Sequence, residues 1–547
     1  MILKSRITLL FLSILILAGF FRFYKLNSVP PGVSLDEASF GYNAYSVLET
    51  GKDEYGYKMP LLLRAYDDWR PGLYLYFIVP FIRVFGLTAI SVRLPSVLSS
   101  LIVVSTVYFL TLKLLKIKKE NLFIPLLAMV FLAISPWQVY LSRLGHEVNF
   151  GLTFSILGIY FFILFADKPK HKTIYLILSA IFFVLTFYTY QSQKIFTPLL
   201  VLSMIVIYRK ELWSEKKTLL FSSVIGLIVA IPIFVVSLSP NALIRFQGTS
   251  IFSHQSDLLE RASIRTLHDS LSKDYLGSWW DNRRLEITGS VLRNYFSHFD
   301  PTWLFFNTGK ENHKVPSLGL LYLWELPLIL LGSYFLVKGD FPIKSKKLIL
   351  AWILISPLAG SITTQSPHAM RFYDILPIPQ ILSSLGVAFL VRGKSRRKVL
   401  ILLVGIIMLS SSALFHYYFI NFPYEQSDSF QEGLKDSIKY AIANENSYDK
   451  IVISNQRQGY QSYMFYLFLS KYLPQKYLSQ GGTISGGYNE QHSIGKYEFR
   501  PIDWGSEKSK IKTLYLGNFD DFPEGVKTIN KFNLLNGQVS MVAVIKE

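Results

Sequence analysis

The sequence of 547 residues contains no cysteine, which removes disulfides, cysteine-held metals and thiol nucleophiles from the chemistry open to it. Charge is scarce as well. Only 17% of the residues are charged, against about 25% in an average soluble domain. Acids are the scarcer sign, 37 against 56 lysines and arginines. No internal repeat and no low-complexity tract interrupts the chain.

What is present is apolar: 51% of the residues are hydrophobic and 15% aromatic. Runs long enough to cross a bilayer, about 20 mostly apolar residues each, recur along most of the chain, and no soluble fold buries so many. The formal charge of +19 does not mark a nucleic-acid partner, because the basic residues are not gathered on one binding element. They stand in short clusters between apolar runs, as cytoplasmic loops do under the positive-inside rule.

The first run follows Lys4 and Arg6. Its basic start resembles a signal peptide, but no small-residue cleavage site follows, so an uncleaved span is expected. Spans are expected at 7–21, 94–112, 122–137, 150–165, 173–188, 195–207, 219–238, 318–337, 348–361, 375–391 and 399–419. Every second connection is basic: KLLKIKK from Lys113 to Lys119; Lys168, Lys170 and Lys172; Arg209, Lys210, Lys216 and Lys217; Lys338, Lys344, Lys346 and Lys347; and RGKSRRK at 392–398. About eleven spans, with the N-terminus cytoplasmic and the C-terminus outside, satisfy the rule. The run 71–86 is short, proline-broken and carries Arg83, so it is expected to lie in the interface rather than cross.

Three pieces fall outside the membrane: loops 22–93 and 239–317, and the tail 421–547. In the tail DKIVISN, KTLYLGN and VSMVAVI read as strands and SYMFYLFLSKYL as an amphipathic helix. The expected fold is an α-helical polytopic membrane protein over 1–420, followed by a small extracytoplasmic α/β domain.

The candidates for chemistry lie at outer span ends. SLDEASFGYNAYSVLETGKDEYG places Asp36 and Glu37 just after the first span, with Ser34 as N-cap of a helix from Leu35 to about Leu48. A carboxylate there can act on a lipid headgroup as general base, or can be a solvated helix start that satisfies the dipole. RAYDDWRPGLYLY brings Arg70, able to hold phosphate through paired hydrogen bonds or to anchor at the interface. In SPWQVYLSRLGHEVNF, Arg143 and Glu147 are four apart and share a face if the segment is helical; they are an ion pair, or Glu147 is a second acid. His146 between them is weak evidence for a metal. TTQSPHAMRFYDILPIP carries His368, Arg371 and Asp374, while YQSQK and NTGKENHK bring Lys194 and His313. Singly these are anchors; jointly Arg70, Arg143, Lys194, His313 and Arg371 would surround one anionic headgroup. Two features carry less weight: Glu325, inside a span near Pro327, is a functional residue or a structural partner, and the SWWDNR stretch (278–283) is a chance match or a sugar-stacking platform.

Taken in order, these motifs resemble the protein O-mannosyltransferase and aminoarabinose-transferase group of the GT-C glycosyltransferases. The carriers are the DE pair after the first span, RPGLY in place of a KPPLY-like segment, the SPW–SR–acid turn and PHAMR. WLFFNTG and LYLWELP also look like bacterial members. The resemblance implies a polyprenyl-phosphate sugar donor and inverting transfer on the outer face. It implies Asp36 as base, Glu37 and Glu147 as supporting acids, and Arg70 and Arg371 on the donor phosphate. Arginine at 70, Gly72 in place of the second proline, and Glu147 in place of aspartate depart from the family pattern. A divalent cation is left open, with Asp36 and Glu37 the residues to hold one. The acceptor is a hydroxyl on protein, lipid or glycan. The alternatives are an oligosaccharide ligase or oligosaccharyltransferase, and a lipid-carrier flippase or transporter. The last would show repeat symmetry and polar groups along a path.

Overall fold

A computed structural model of the chain describes residues 2–167, 170–253, 256–307, 313–392, 396–487, 490–507 and 511–546. Lys168, residues 308–312 of NTGKENHK and residues 393–395 of RGKSRRK lie outside the described residues. The fold is mostly helical, because a helix satisfies every backbone group within its own segment where no water can. Among the described residues, six helices are long and apolar enough to cross a membrane: Ser5–Phe23, Ala89–Leu114, Val148–Ala166, Lys216–Ser237, Tyr373–Leu390 and Arg396–Glu425. Lys119–Ala133 and Pro136–Ser142, bent by 57°, make a seventh if they form one span. The other expected spans carry shorter helices: Lys172–Thr186, Gln193–Ile207, Glu325–Lys338 and Ile343–Ile355. The chain is a multi-pass membrane protein. The segment expected in the interface forms Leu73–Phe85, 13 residues with Pro80 inside.

The chain folds as two compact units. The first comprises Met1–Gly19, Ser100–Leu141 and Val148–Ser411. Its tightest helix pair is Glu325–Lys338 against Ile378–Leu390, which meet through glycine. A methyl group on Gly332 would fall 1.8 Å from the Leu382 carbonyl oxygen, and one on Gly386 would fall 2.2 Å from that of Leu328. Glu325 opens the first of these helices and accepts from the Tyr322 N–H at 2.9 Å. The basic connections of this unit meet one another. Lys172 pairs with Glu215, Lys344 with Glu211, Lys116 approaches Asp167 at 3.9 Å, and Ser345 donates to the Leu114 carbonyl at 2.5 Å. Loop 239–317 is helical too, with Pro240–Thr249, Ser256–Ser272 and Arg283–Ser297.

The second unit comprises Phe20–Ser99, Ser142–Glu147 and Ser412–Glu547. It contains the strands β1 (Leu62–Ala65), β2 (Asp68–Pro71), β3 (Lys450–Ile453), β4 (His492–Ile494), β5 (Tyr497–Phe499), β6 (Thr513–Gly517), β7 (Thr528–Asn533) and β8 (Val539–Lys546). β1 and β2 form a hairpin. The others make one sheet in the order β4-β5-β3-β6-β8-β7, with β3 parallel to β5 and β6. Val452, Tyr515, Val542 and Val544 supply part of its core. The three expected strands are β3, β6 and β8. The Ser462–Ser470 helix is buried from Ser462 to Phe468 rather than amphipathic. On one side Phe468 packs where Gly41 of the Leu35–Thr50 helix leaves room for it. On the other, Tyr466 lies 4.3 Å from the Tyr497 ring of β5. A helix covered on both faces has no polar stripe to show.

Candidate active site

The site starts from a helix cap. Ser34 Oγ accepts from the Glu37 N–H at 3.2 Å, and Glu37 Oε2 accepts from the Ser34 N–H at 2.9 Å. This reciprocal box satisfies two donors that a helix start leaves open. It fixes Asp36 and Glu37 in the first turn of Leu35–Thr50. The Tyr66 hydroxyl, at the tip of the β1–β2 hairpin, donates to the Leu35 carbonyl at 3.0 Å. β2 then presents Arg70 to the same turn.

Residues far apart in sequence converge here. Arg70 Nη1 donates to Asp36 Oδ1 at 2.8 Å, with the Asp36 side chain 48% exposed and that of Arg70 only 3%. The guanidinium lies over the Phe40 ring at 3.8 Å. Its Nε and Nη2 are buried without a hydrogen-bond partner among the described residues. On the other side of Asp36, His146 Nε2 approaches Oδ2 at 3.9 Å, and His146 Nδ1 lies 3.3 Å from Glu147 Oε2. An open carboxylate is thus flanked by a cation with donors in reserve and by an imidazole backed by a buried acid.

Glu37 and Arg143 have different surroundings from those expected. Glu37 is sealed: Oε1 accepts from Arg93 Nε at 2.7 Å and the Gly145 N–H at 2.9 Å, and Oε2 from Ser34 and from Arg93 Nη2 at 2.9 Å. Burial opposes its charge, but the Arg93 guanidinium and the two backbone donors outweigh that and hold the carboxyl below the usual range. No lone pair is left for a metal or an acceptor. The segment around Arg143 is not helical. One helix ends at Ser142 and the next begins at Val148, so Arg143 and Glu147 share no helix face. Arg143 instead donates from Nη1 to the carbonyls of Phe21 at 3.0 Å and Arg22 at 2.7 Å. From Nη2 it donates to Tyr24 at 2.8 Å and Val29 at 2.6 Å. Fully buried, it spends both terminal nitrogens on carbonyls, while its Nε has no hydrogen-bond partner among the described residues.

In the first unit, Lys194 and Arg371 line one cavity of about 280 Å³ together with Tyr190, Ser192, Thr249 and Thr363. Arg371 Nη1 donates to Thr363 Oγ1 at 2.7 Å and to the Gln365 carbonyl at 3.1 Å. Asp374 is buried and accepts from Gln193 at 2.6 Å and Ser192 at 3.2 Å, bracing the cavity wall. The His313 ring packs on His368 at 5.4 Å. No group of three or more histidine and acidic side chains among the described residues is placed to hold a metal ion.

Two buried charged groups escaped the sequence reading. Arg93 looked like a loop boundary, although an arginine at the start of an apolar run is a signal in itself. Glu54 is fully buried. It accepts from Asn43 at 2.9 Å, Thr483 at 2.8 Å and Tyr463 at 3.2 Å, and no salt bridge to it is found among the described residues. Burial pushes its carboxyl up to about 7.

Residues 70–235 match the family model for dolichyl-phosphate-mannose-protein mannosyltransferase. That stretch holds Arg70, Arg93, Arg143, His146, Glu147 and Lys194. The fold is similar to that of ArnT from Cupriavidus metallidurans bound to undecaprenyl phosphate. The TM-score is 0.56 at 11% identity, over 98% of this chain and 97% of that one. It is also similar to the archaeal oligosaccharyltransferase AglB from Archaeoglobus fulgidus, in complex with an inhibitory peptide and a dolichol-phosphate. There the TM-score is 0.50 at 11% identity, over 85% of this chain and 64% of that one. No curated protein matches the chain significantly. The chain therefore has the fold of these membrane glycosyltransferases. Its likeness to the mannosyltransferase family is confined to residues 70–235.

Proposed function

We propose that this enzyme transfers a sugar from a polyprenyl-phosphate carrier to an acceptor hydroxyl on the extracytoplasmic face, with inversion at the anomeric carbon. The observation that carries the reading is the Asp36–Arg70 pair: a half-exposed carboxylate against a buried guanidinium with two donor nitrogens unengaged. In the proposed step the acceptor oxygen attacks the anomeric carbon and passes its proton to Asp36. The bond from that carbon to the phosphate oxygen breaks, and polyprenyl phosphate leaves with the electron pair. Arg70 turns its open donors to the phosphate and stabilises the charge that develops there. A carboxylate bonded to a guanidinium is a weaker base than one released from it. Donor binding, by drawing on Arg70, therefore makes Asp36 a better proton acceptor. His146, backed by Glu147, borders the acceptor side.

The relatives support the carrier: one solved neighbour holds undecaprenyl phosphate and another a dolichol-phosphate. Nucleotide sugars are cytoplasmic, so a lipid-tethered donor is the form in which an activated sugar reaches the outer face. The placement of residues 421–547 outside, as a domain after the membrane part, follows from the same sidedness. The meeting of the basic connections within the first unit supports it. The test is purified protein with a panel of undecaprenyl-phosphate-linked sugars and hydroxyl acceptors. Release of undecaprenyl phosphate and a product of inverted configuration are expected with one member. Release with no sugar transferred, or a retained configuration, would contradict the mechanism.

A further inference from the structure

Two buried arginines hold the same strip of main chain. Arg93, fully buried, uses all five of its N–H donors: two on Glu37, and one each on the carbonyls of Leu26 at 2.9 Å, Pro30 at 3.0 Å and Gly32 at 3.0 Å. Arg143, also fully buried, takes the carbonyls of Phe21, Arg22, Tyr24 and Val29. Seven carbonyls of the connector 21–32 therefore point at two guanidiniums. Among the described residues Arg143 has no carboxylate as a hydrogen-bond partner. Its charge is met by these carbonyl dipoles and by the rings of Phe419 at 4.8 Å and Tyr418 at 5.4 Å. A buried cation in such a cage is costly to disturb, because its desolvation is compensated only by donors and acceptors in fixed places.

The cage ends at the reacting groups on both sides. The connector runs into Ser34 and the turn that carries Asp36, and Arg93 grips Glu37 next to it. Arg143 lies three residues before His146, and the Gly145 N–H also donates to Glu37. We infer that Arg93 and Arg143 form a positioning clamp that sets Asp36 against His146, the approach of 3.9 Å seen between them. The inference rests on the proposed role of Asp36 and extends it to residues that touch neither donor nor acceptor. The clamp acts on geometry alone: in a site that depends on orientation, a shift of about 1 Å costs about 10²-fold in rate.

The experiment compares Arg93→Met, Arg143→Met, Glu37→Gln and the double variant Arg93→Met/Glu37→Gln with wild type. Asp36→Asn is run in parallel. Undecaprenyl phosphate affinity, kcat and donor KM are measured in detergent well below each melting midpoint. The clamp predicts kcat lowered by about 10²-fold in the methionine variants, with affinity for undecaprenyl phosphate and donor KM within a few-fold of wild type. The double variant should be no worse than its poorer single, since both break one device. A loss of undecaprenyl phosphate affinity in Arg143→Met would overturn the inference in favour of a phosphate ligand. Wild-type kcat in the folded variants would overturn it outright. If the methionine variants do not fold, Glu37→Gln decides: a lowered kcat at unchanged affinity supports the clamp, and an unchanged kcat refutes it. Asp36→Asn separates the two levels. Wild-type turnover there removes the reading of the site itself, whereas its loss beside intact clamp variants removes only the clamp.

Discussion

Asp36 and Glu37 are neighbours with opposite environments, and the difference decides which can take a proton. Asp36 is half exposed and shares one hydrogen bond with Arg70; Glu37 is enclosed by four donors. Both were legible as a pair of acids after the first span. Their division of labour was not, since it depends on Arg93 and Gly145 arriving from far along the chain. The capping box was nearer to hand: Ser34 and Glu37 stand three apart, as a box requires. Glu54 shows what a sequence hides more completely, because its partners Tyr463 and Thr483 lie some four hundred residues away. Its carboxyl is raised from 4.5 to about 7, and Asp53 beside it is raised by burial from 3.8 to about 6. A raised acid binds more protons folded than unfolded, so stability falls as pH rises. For Glu54 the contribution is complete below about 4.5 and gone once pH passes about 7, with a slope of at most about 1.4 kcal/mol per pH unit. Glu54→Gln should flatten that part of a melting-temperature profile and leave the variant more stable than wild type at pH 8. A profile unchanged by the substitution would mean that Glu54 is ionised in the fold without cost.

At the scale of elements, apolar runs announce helices but not how closely they pack. Glu325–Lys338 and Ile378–Leu390 were expected as spans, yet their contact depends on two glycines that no spacing rule singled out. Without a hydrophobic drive between helices in lipid, small residues that let backbones approach are what hold such a pair. Gly386→Val should force the backbones apart and lower stability by at least about 1–3 kcal/mol, the usual range for overpacking. It should read out as a reduced melting midpoint in detergent, whereas Gly405→Val, at a glycine with no neighbour within 4 Å, should not. Equal midpoints would show that the pair tolerates separation. Strands β3, β6 and β8 were legible because each is an apolar run of buried residues. β4, β5 and β7 are short or polar on one face, and their pairing is set by neighbours rather than by their own pattern.

For the whole molecule, the proposed sidedness rests on alternating basic connections, and the absence of native cysteine makes it measurable. Single cysteines at Glu49 and Asn536 should react with an impermeant thiol reagent in intact cells, and those at Lys118 and Lys347 should not. Reaction at Lys118 would mean that Leu73–Phe85 crosses the membrane and would invert the assignment that follows it. The membrane class and the site's acids were readable because bilayer spans and outer-end motifs are local patterns. The joining of residues 20–99 with the tail in one compact unit was not, since it rests on contacts such as the Tyr42 hydroxyl on the Tyr472 carbonyl at 3.2 Å. The central claim is that Asp36 accepts the acceptor's proton while cations hold a polyprenyl phosphate. The direct measurement is turnover and undecaprenyl phosphate affinity of Asp36→Asn in reconstituted membranes. The account predicts turnover reduced by about 10²–10⁴-fold, the contribution of a general base, with affinity retained. Near-normal turnover would contradict it and pass the role to Glu147.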